Sequence, residues 1–250
     1  MPLWTGRPWT EKNLNSIIQG LWIGKALSVM ERMSINSFLQ NEHEYHLYCY
    51  ETLDLVPEKA VIKDGNEILP ASSIFQYSRY KSYSGFSNWF RYKLLFERGG
   101  WWSDTDVICV KPFDFQDEYV FSSEVDNGVE VANSGIIKAP VGSSLMARAY
   151  KVCESKDKSK LAWGETGPRL LGAAVKEFGL EKYKRNYRTF CPIGYKDWEL
   201  VLDPDFDVKL DDDTYGVHLW NEMWRRADRD KNASYHHDCL YERLKRKYFC

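Results

Sequence analysis

Long apolar runs, paired cysteine motifs and an excess of basic charge are all missing from this 250-residue chain. Nowhere do 18 consecutive apolar residues occur, so no segment reads as a membrane-spanning helix. The start, Met1-Pro2-Leu3-Trp4-Thr5-Gly6-Arg7-Pro8, has neither the charged region nor the apolar stretch of a secretory signal. Six cysteines (Cys49, Cys109, Cys153, Cys191, Cys239, Cys250) lie far apart, with no C-x-x-C and no Cys/His cluster at zinc spacing. They read as buried thiols in a reducing compartment, and the default expectation is a cytoplasmic protein. Lys and Arg number 34 against 36 Asp and Glu, a net charge of -2, so the basic excess that drives nucleic-acid affinity is absent. No repeat, low-complexity tract or linker divides the chain, and residues 1–250 are expected to form one domain. At this length a domain buries roughly 70–75% of its unfolded surface and needs no disulfides.

What the chain has in abundance is tryptophan, ten residues in all. Indole faces stack on nucleobases and sugars, yet they also fill cores. The run Ser16–Gly24 suits a buried strand, Ala26–Asn41 carries apolar residues at helical spacing, and Tyr45–Tyr50 reads as a second strand. That βαβ order implies a mainly parallel sheet. Residues 53–85 read as loops with short helices. A helix over 86–98 is stopped by Gly99-Gly100. Strand-like runs follow at 101–104, 107–110, 119–125, 128–132 and 135–137, helices at 143–155 and 166–178, an aromatic β-prone stretch at 187–202 and a last strand at 215–220.

An Asp-x-Asp pair can hold a divalent metal on a phosphate, because two carboxylates give hard oxygen ligands and leave positions open. With 18 Asp in the chain, chance supplies about one such pair, so the motif alone says little. Five occur. Those from Asp203 to Asp213 lack the Gly and Glu an EF-hand needs at 208 and 214 and read as a solvated loop. Asp228/Asp230 lies among alternating charges and reads as surface. Asp104/Asp106 differs, since Trp101-Trp102 and Val107-Ile108-Cys109-Val110 flank it. Two readings stand there: a bound cation that offsets the cost of burying two carboxylates, or a turn whose carboxylates face water. Upstream, Ser87, Asn88 and Arg91 share a helix arc of roughly 100°. The Gly99-Gly100 reversal can bring this hydroxyl, amide and guanidinium near the Asp pair, a set that suits a sugar diphosphate.

The segment Ser87-Asn88-Trp89-Phe90-Arg91-Tyr92-Lys93-Leu94-Leu95-Phe96-Glu97-Arg98-Gly99-Gly100-Trp101-Trp102-Ser103-Asp104-Thr105-Asp106-Val107 resembles the signature of the DXD sugar-binding glycosyltransferases. These include capsular polysaccharide enzymes, Och-type mannosyltransferases and α1,4-galactosyltransferases, with the large glucosylating toxins as wider relatives. Leu21-Trp22-Ile23-Gly24, Thr166-Gly167-Pro168 and His218-Leu219-Trp220 are similar to further family segments. The resemblance implies a GT-A-like, Rossmann-type mixed sheet flanked by helices, a nucleotide-sugar donor, Mn²⁺ or Mg²⁺, and retention of anomeric configuration. It also implies roles for residues. Trp22 would stack on the base, Ser87 lie near base or ribose, and Arg91 bind donor phosphate or sugar. Asp104 would hold ribose and sugar hydroxyls, while Asp106 and His218 ligate the metal. Many members have Asp where this chain has Asn88, a contact to donor sugar hydroxyls. Asn133 and Glu165 are further candidates for the sugar site, with Glu165 equally readable as a helix N-terminal charge. Lone His218 and Trp22 each have a core-packing alternative.

On this reading residues of about 15–110 form the nucleotide-sugar and metal half, and about 111–250 the acceptor side and closing segment. Trp101 and Trp102 are expected to wall the metal loop. The expected reaction is hexose transfer from a nucleotide-sugar, a UDP-sugar by preference, to a glycan or lipid-linked acceptor in polysaccharide biosynthesis. Alternatives are a GDP-mannose enzyme, a toxin-like protein glycosyltransferase and a binding module without turnover. The basic, aromatic segment Leu240–Cys250 has two readings, a peripheral contact with the inner face of a membrane or a solvated helix.

Overall fold

A computed structural model describes residues 17–208 and 210–249. The opening Ser16 of the first expected strand, the N-terminal Trp4 and Trp9, and Cys250 lie outside those residues. Strands β1 (Ile17–Leu21), β2 (Glu44–Cys49) and β3 (Val61–Asp64) pair in parallel. Between β1 and β2 runs helix α1 (Val29–Gln40), completing the expected βαβ unit. Its start is legible as Ser28-x-x-Glu31. The Ser28 hydroxyl accepts from Met30 N–H at 3.2 Å, and the Glu31 carboxylate accepts from Ser28 N–H at 2.8 Å. Strand β3 was not expected in the polar 53–85 stretch, and its four residues alternate between half-buried and exposed.

Helix α2 (Ser84–Arg98) ends at Gly99, whose φ of 63° belongs to the left-handed region. A Cβ on Gly99 would also stand 2.7 Å from the Val141 nitrogen, so both conformation and space demand glycine. The chain then reverses into β4 (Gly100–Ser103), which lies parallel to β1. Strands β5 (Val107–Cys109), β6 (Val120–Asp126) and β7 (Val129–Ala139) follow. The runs expected at 128–132 and 135–137 are thus one continuous strand. It pairs antiparallel with both β4 and β6, giving a six-stranded mixed sheet of order β3-β2-β1-β4-β7-β6.

Helices α3 (Ser144–Ser155) and α4 (Pro168–Glu177) fall within the expected spans. Strand β8 (Gly216–His218) pairs antiparallel with β5, and the short α5 (Asn221–Arg226) and α6 (Leu240–Tyr248) close the chain. The β-prone reading of 187–202 is corrected: the segment forms 3₁₀ turns at Tyr187–Thr189 and Tyr195–Leu202. Pro192 and Gly194 split the run, and proline lacks the N–H a ladder needs.

Two apolar clusters cover the sheet. One packs Met33, Phe38, Trp101, Trp224 and Tyr241, and the other packs Phe90, Trp102, Leu145 and Leu171. Neighbours Trp101 and Trp102 therefore point to opposite sides, as strand alternation requires. In α6 the apolar positions Leu240, Tyr241, Leu244 and Tyr248 are buried, while Arg243, Arg246 and Lys247 are exposed. Of the aromatics that the membrane-contact reading used, Tyr241 and Tyr248 are therefore spent on the core. Among the described residues no helix is long and apolar enough to cross a membrane. The described cysteines are buried free thiols, as expected.

Candidate active site

Three short-range consequences of the fold build the site. Strand β4 ends at Ser103 opposite Ile136, and the next N–H, that of Asp104, donates to the Gly135 carbonyl at 2.8 Å. The β5–β8 register sets Val107 against His218, so Leu219 N–H donates to the Asp106 carbonyl at 2.9 Å. Trp220 then takes a left-handed backbone (φ 57°), a costly conformation for a bulky residue, and turns the first N–H of α5 toward the pair. Asn221 N–H donates to Asp106 Oδ2 at 2.7 Å. Ligand atoms of Asp104, Asp106 and His218 consequently lie within 4.8 Å of one another.

Each ligand side chain is held from behind. Trp102 Nε1 donates to Asp104 Oδ1 at 3.0 Å, and Arg91 Nη1 lies 2.9 Å from the same oxygen. Arg91 is buried with its guanidinium 4.7 Å over the Trp102 ring. It donates from Nε to the Ser87 carbonyl at 3.2 Å, from Nη2 to Ser87 Oγ at 2.8 Å and from Nη1 to the Ser134 carbonyl. Four of the five guanidinium hydrogens are thus engaged inside the protein, which leaves a single Nη2 hydrogen for a ligand. His218 sits with Nε2 3.4 Å from Asp106 Oδ1 and Nδ1 3.8 Å from the Cys191 sulfur.

Burial raises the Asp104 carboxyl, against the opposing pull of Arg91, and the neighbouring Asp106 charge adds to the rise. Burial would also raise Asp106, but His218 and the Asn221 N–H outweigh it and hold this carboxyl below its usual value. For His218 burial works downward, yet Asp106, aided by Cys191, lifts it well above the ordinary imidazole range. Two carboxylates against one guanidinium leave the cluster one positive charge short of balance when the imidazole is neutral. Oxygen and imidazole donors at this spacing, with that deficit, fit Mn²⁺ or Mg²⁺.

The cluster forms part of the wall of a cavity of about 1400 Å³. Trp22, Ser87, Asn88, Arg91, Asp104, Asp106, Asn133 and His218 all line it. Trp22 Nε1 is tied to the Ala26 carbonyl at 3.1 Å, and the Lys231 ammonium lies 5.5 Å over the indole. The Thr166-Gly167-Pro168 turn backs onto the Asn88 amide. Glu165 is not brought to the site: it is absent from the cavity lining and pairs with Lys156 at 2.7 Å. Its other oxygen accepts the Ala162 N–H at 3.1 Å, so it stabilises the turn before α4. Of the two tryptophans expected to wall the metal loop, Trp102 does so and Trp101 packs on Phe113 and Phe115 in the core. Trp163 and Trp220 both reach the cavity.

Sequence reading missed Ser134, Gly135, Asn221, Lys231, Glu124 and Tyr195. A Cβ on Gly135 would meet Asn133 Oδ1 at 2.8 Å and His218 Cε1 at 3.2 Å, so the imidazole packs where a side chain would stand. Only Glu124 left a trace, as the acidic end of the buried polar run Ser122-Ser123-Glu124 in a strand.

The chain matches the family described as glycosyltransferase sugar-binding region containing DXD motif over residues 28–125. It matches the alpha 1,4-glycosyltransferase conserved region over residues 155–250. The first span holds Arg91, Asp104 and Asp106, the second His218. Among solved structures the chain is similar to the PaToxG glycosyltransferase, at 17% identity and a TM-score of 0.47, covering 66% of this chain and 69% of that one. It is similar as well to the apo form of the glycosyltransferase GlyE from Streptococcus pneumoniae TIGR4, at 11% identity and a TM-score of 0.43, covering 92% of this chain and 62% of that one. No curated protein matches by sequence.

Proposed function

We propose that this glycosyltransferase, which matches a DXD sugar-binding region and an alpha 1,4-glycosyltransferase region, moves a hexose from a UDP-sugar to a hydroxyl of a glycan or lipid-linked acceptor, with retention, in polysaccharide biosynthesis. The observation that carries this reading is the Asp104–Asp106–His218 cluster, backed by Arg91 and opening on a cavity of about 1400 Å³.

Asp106 and His218 would hold the divalent ion, which would supply positive charge to offset that developing on the departing nucleoside diphosphate. Asp104 is turned by Trp102 and Arg91 so that its remaining lone pairs face hydroxyls of the ribose and sugar. Arg91 acts chiefly by fixing Asp104 and the Ser134 strand, and offers its one free Nη2 hydrogen to the donor. Ser87, Asn88 and Asn133 supply neutral polar groups along the same wall, and Trp22 offers an indole face to the base. The acceptor hydroxyl attacks on the face from which the diphosphate leaves. Residues from both halves of the chain line this one cavity, which supports a single catalytic unit.

A hydrolysis panel of UDP-glucose, UDP-galactose, UDP-N-acetylglucosamine and GDP-mannose with Mn²⁺ tests the reading. One UDP-hexose should be cleaved fastest, and EDTA should stop the reaction. Preference for GDP-mannose would reassign the donor, and no hydrolysis of any donor would overturn the proposal.

A further inference from the structure

Resting on the glycosyltransferase reading, we propose that the cavity that holds the metal cluster includes an acceptor subsite for a neutral sugar, walled by Glu124, Asp126, Tyr195 and Trp220. All four line the cavity that holds the Asp pair. Glu124 and Asp126 are two apart on β6 and so share a face of the strand. The Asn133 amide has a fixed orientation, because its Oδ1 accepts the Gly135 N–H at 2.6 Å. Its Nδ2 therefore donates to Glu124 Oε1, at 3.1 Å.

Glu124 is 7% exposed, and among the described residues no Lys or Arg pairs with it. A buried carboxylate with one donor in place has lone pairs to fill, and leaving them empty is costly. Hydroxyls arriving through the cavity supply what is missing. Next to it the Tyr195 hydroxyl donates to Asp126 Oδ1 at 2.8 Å, which fixes the phenol ring beside Trp220, centroids 6.0 Å apart. Aromatic faces for the C–H side of a pyranose and carboxylates for its hydroxyls stand together.

The lobe borders the donor wall at Asn133 and differs from it in charge. Trp220 also stacks on His218, and Gly135 touches both Asn133 and the imidazole, so the lobe abuts the metal ligands. On the other flank, Lys231 covers Trp22. Two cations near the acidic lobe are already engaged: Lys196 lies 3.8 Å from Asp126, and Lys184 donates to the Glu130 carbonyl at 3.2 Å. An anionic acceptor would meet the unpaired Glu124 charge.

The experiment measures transfer from the best donor of the panel, with Mn²⁺, to lactose, N,N′-diacetylchitobiose, 3′-sialyllactose and glucose 6-phosphate. A neutral saccharide should be used with an acceptor KM at least about tenfold below either anion. Glu124→Gln and Tyr195→Ala should each raise that KM by about tenfold, the scale of one charge-assisted hydrogen bond or ring contact. Their affinity for UDP, read by tryptophan quenching, should stay within about twofold. Should Tyr195→Ala fail to fold by circular dichroism, Tyr195→Phe removes only the bond to Asp126 and should raise the same KM. Preference for an anionic saccharide, an unchanged acceptor KM in the folded variants, or a UDP affinity that falls with it overturns the subsite. Donor hydrolysis without use of any neutral saccharide defeats this inference alone, whereas absence of donor hydrolysis in the unaltered protein defeats the functional reading beneath it.

Discussion

The imidazole of His218 lies flat on the indole of Trp220, ring centroids 3.9 Å apart and planes 25° from parallel. The stack, together with the close approach of Gly135, leaves the ring little freedom to rotate. Nε2 faces Asp106 and Nδ1 faces Cys191. Orientation of this kind matters because a metal can use only the neutral ring, presented at the right nitrogen.

Metal affinity should therefore rise with pH. In the metal-free protein burial lowers the His218 pKa but Asp106 outweighs it and lifts the ring above the ordinary imidazole range, so metal binding to the neutral ring competes with a proton. Mn²⁺ affinity measured by calorimetry should climb roughly tenfold per pH unit until the raised pKa is passed. For folding without metal the sign is opposite. The His218–Asp106 contribution is fully present below the unfolded pKa near 6.5 and is lost as pH rises through the folded one. A flat affinity profile would remove His218 from the ligand set.

Asp106→Asn should lower metal-dependent turnover by about 10²–10³ or more, in line with the loss of one electrostatic group. The amide oxygen can still accept the Asn221 N–H, so the circular dichroism spectrum should not change. Full activity in this variant would sink the metal assignment.

Trp22→Ala should weaken donor binding by about 1–3 kcal/mol if the indole stacks on a base. Titration with UDP, followed by quenching of the remaining tryptophans, reads the loss. An unchanged affinity would make Trp22 a packing residue.

Two glycines should respond in opposite directions. Gly135→Ala drives a methyl to 3.2 Å from the His218 ring and 2.8 Å from the Asn133 oxygen, and should cost about 1–3 kcal/mol of stability along with metal affinity. Gly172→Ala, inside α4 with nothing nearer than 3.9 Å, should stabilise by about 0.5–1 kcal/mol. Thermal melts of the two variants check the contrast.

Features written over short distances were readable in advance. Ser28 and Glu31 mark the start of α1, Gly99 marks the end of α2, and the arc of Ser87, Asn88 and Arg91 follows from helical geometry alone. Asp104 and Asp106 were singled out by their apolar flanks, and the fold does bury Asp106. Their partner His218 was reachable only through family resemblance, since no local pattern links it to β5. Lys231 and Tyr195 left no trace because their neighbours are set by packing: Lys231 pairs with Glu31 across 200 residues, and Tyr195 with Asp126 across 69. The stretch 187–202 misled because its aromatics suited a strand, whereas Pro192 and Gly194 allow only short turns. Trp101 misled for a simpler reason, as adjacent residues of a strand cannot both face one side.

The bond from Asn221 to Asp106 joins positions 115 residues apart, and the β5–β8 ladder beside it spans nearly the same interval. During synthesis Asp106 leaves the ribosome long before any group that can satisfy it. Closing so long a loop carries an entropic cost that is recovered only when the last strand docks. The reaction centre is thus complete only once residues 216–221 are present, and a chain interrupted before residue 216 would hold its two aspartates without β8, His218 or the Asn221 amide. Assembly of the site doubles as a check that the chain has been made through Asn221.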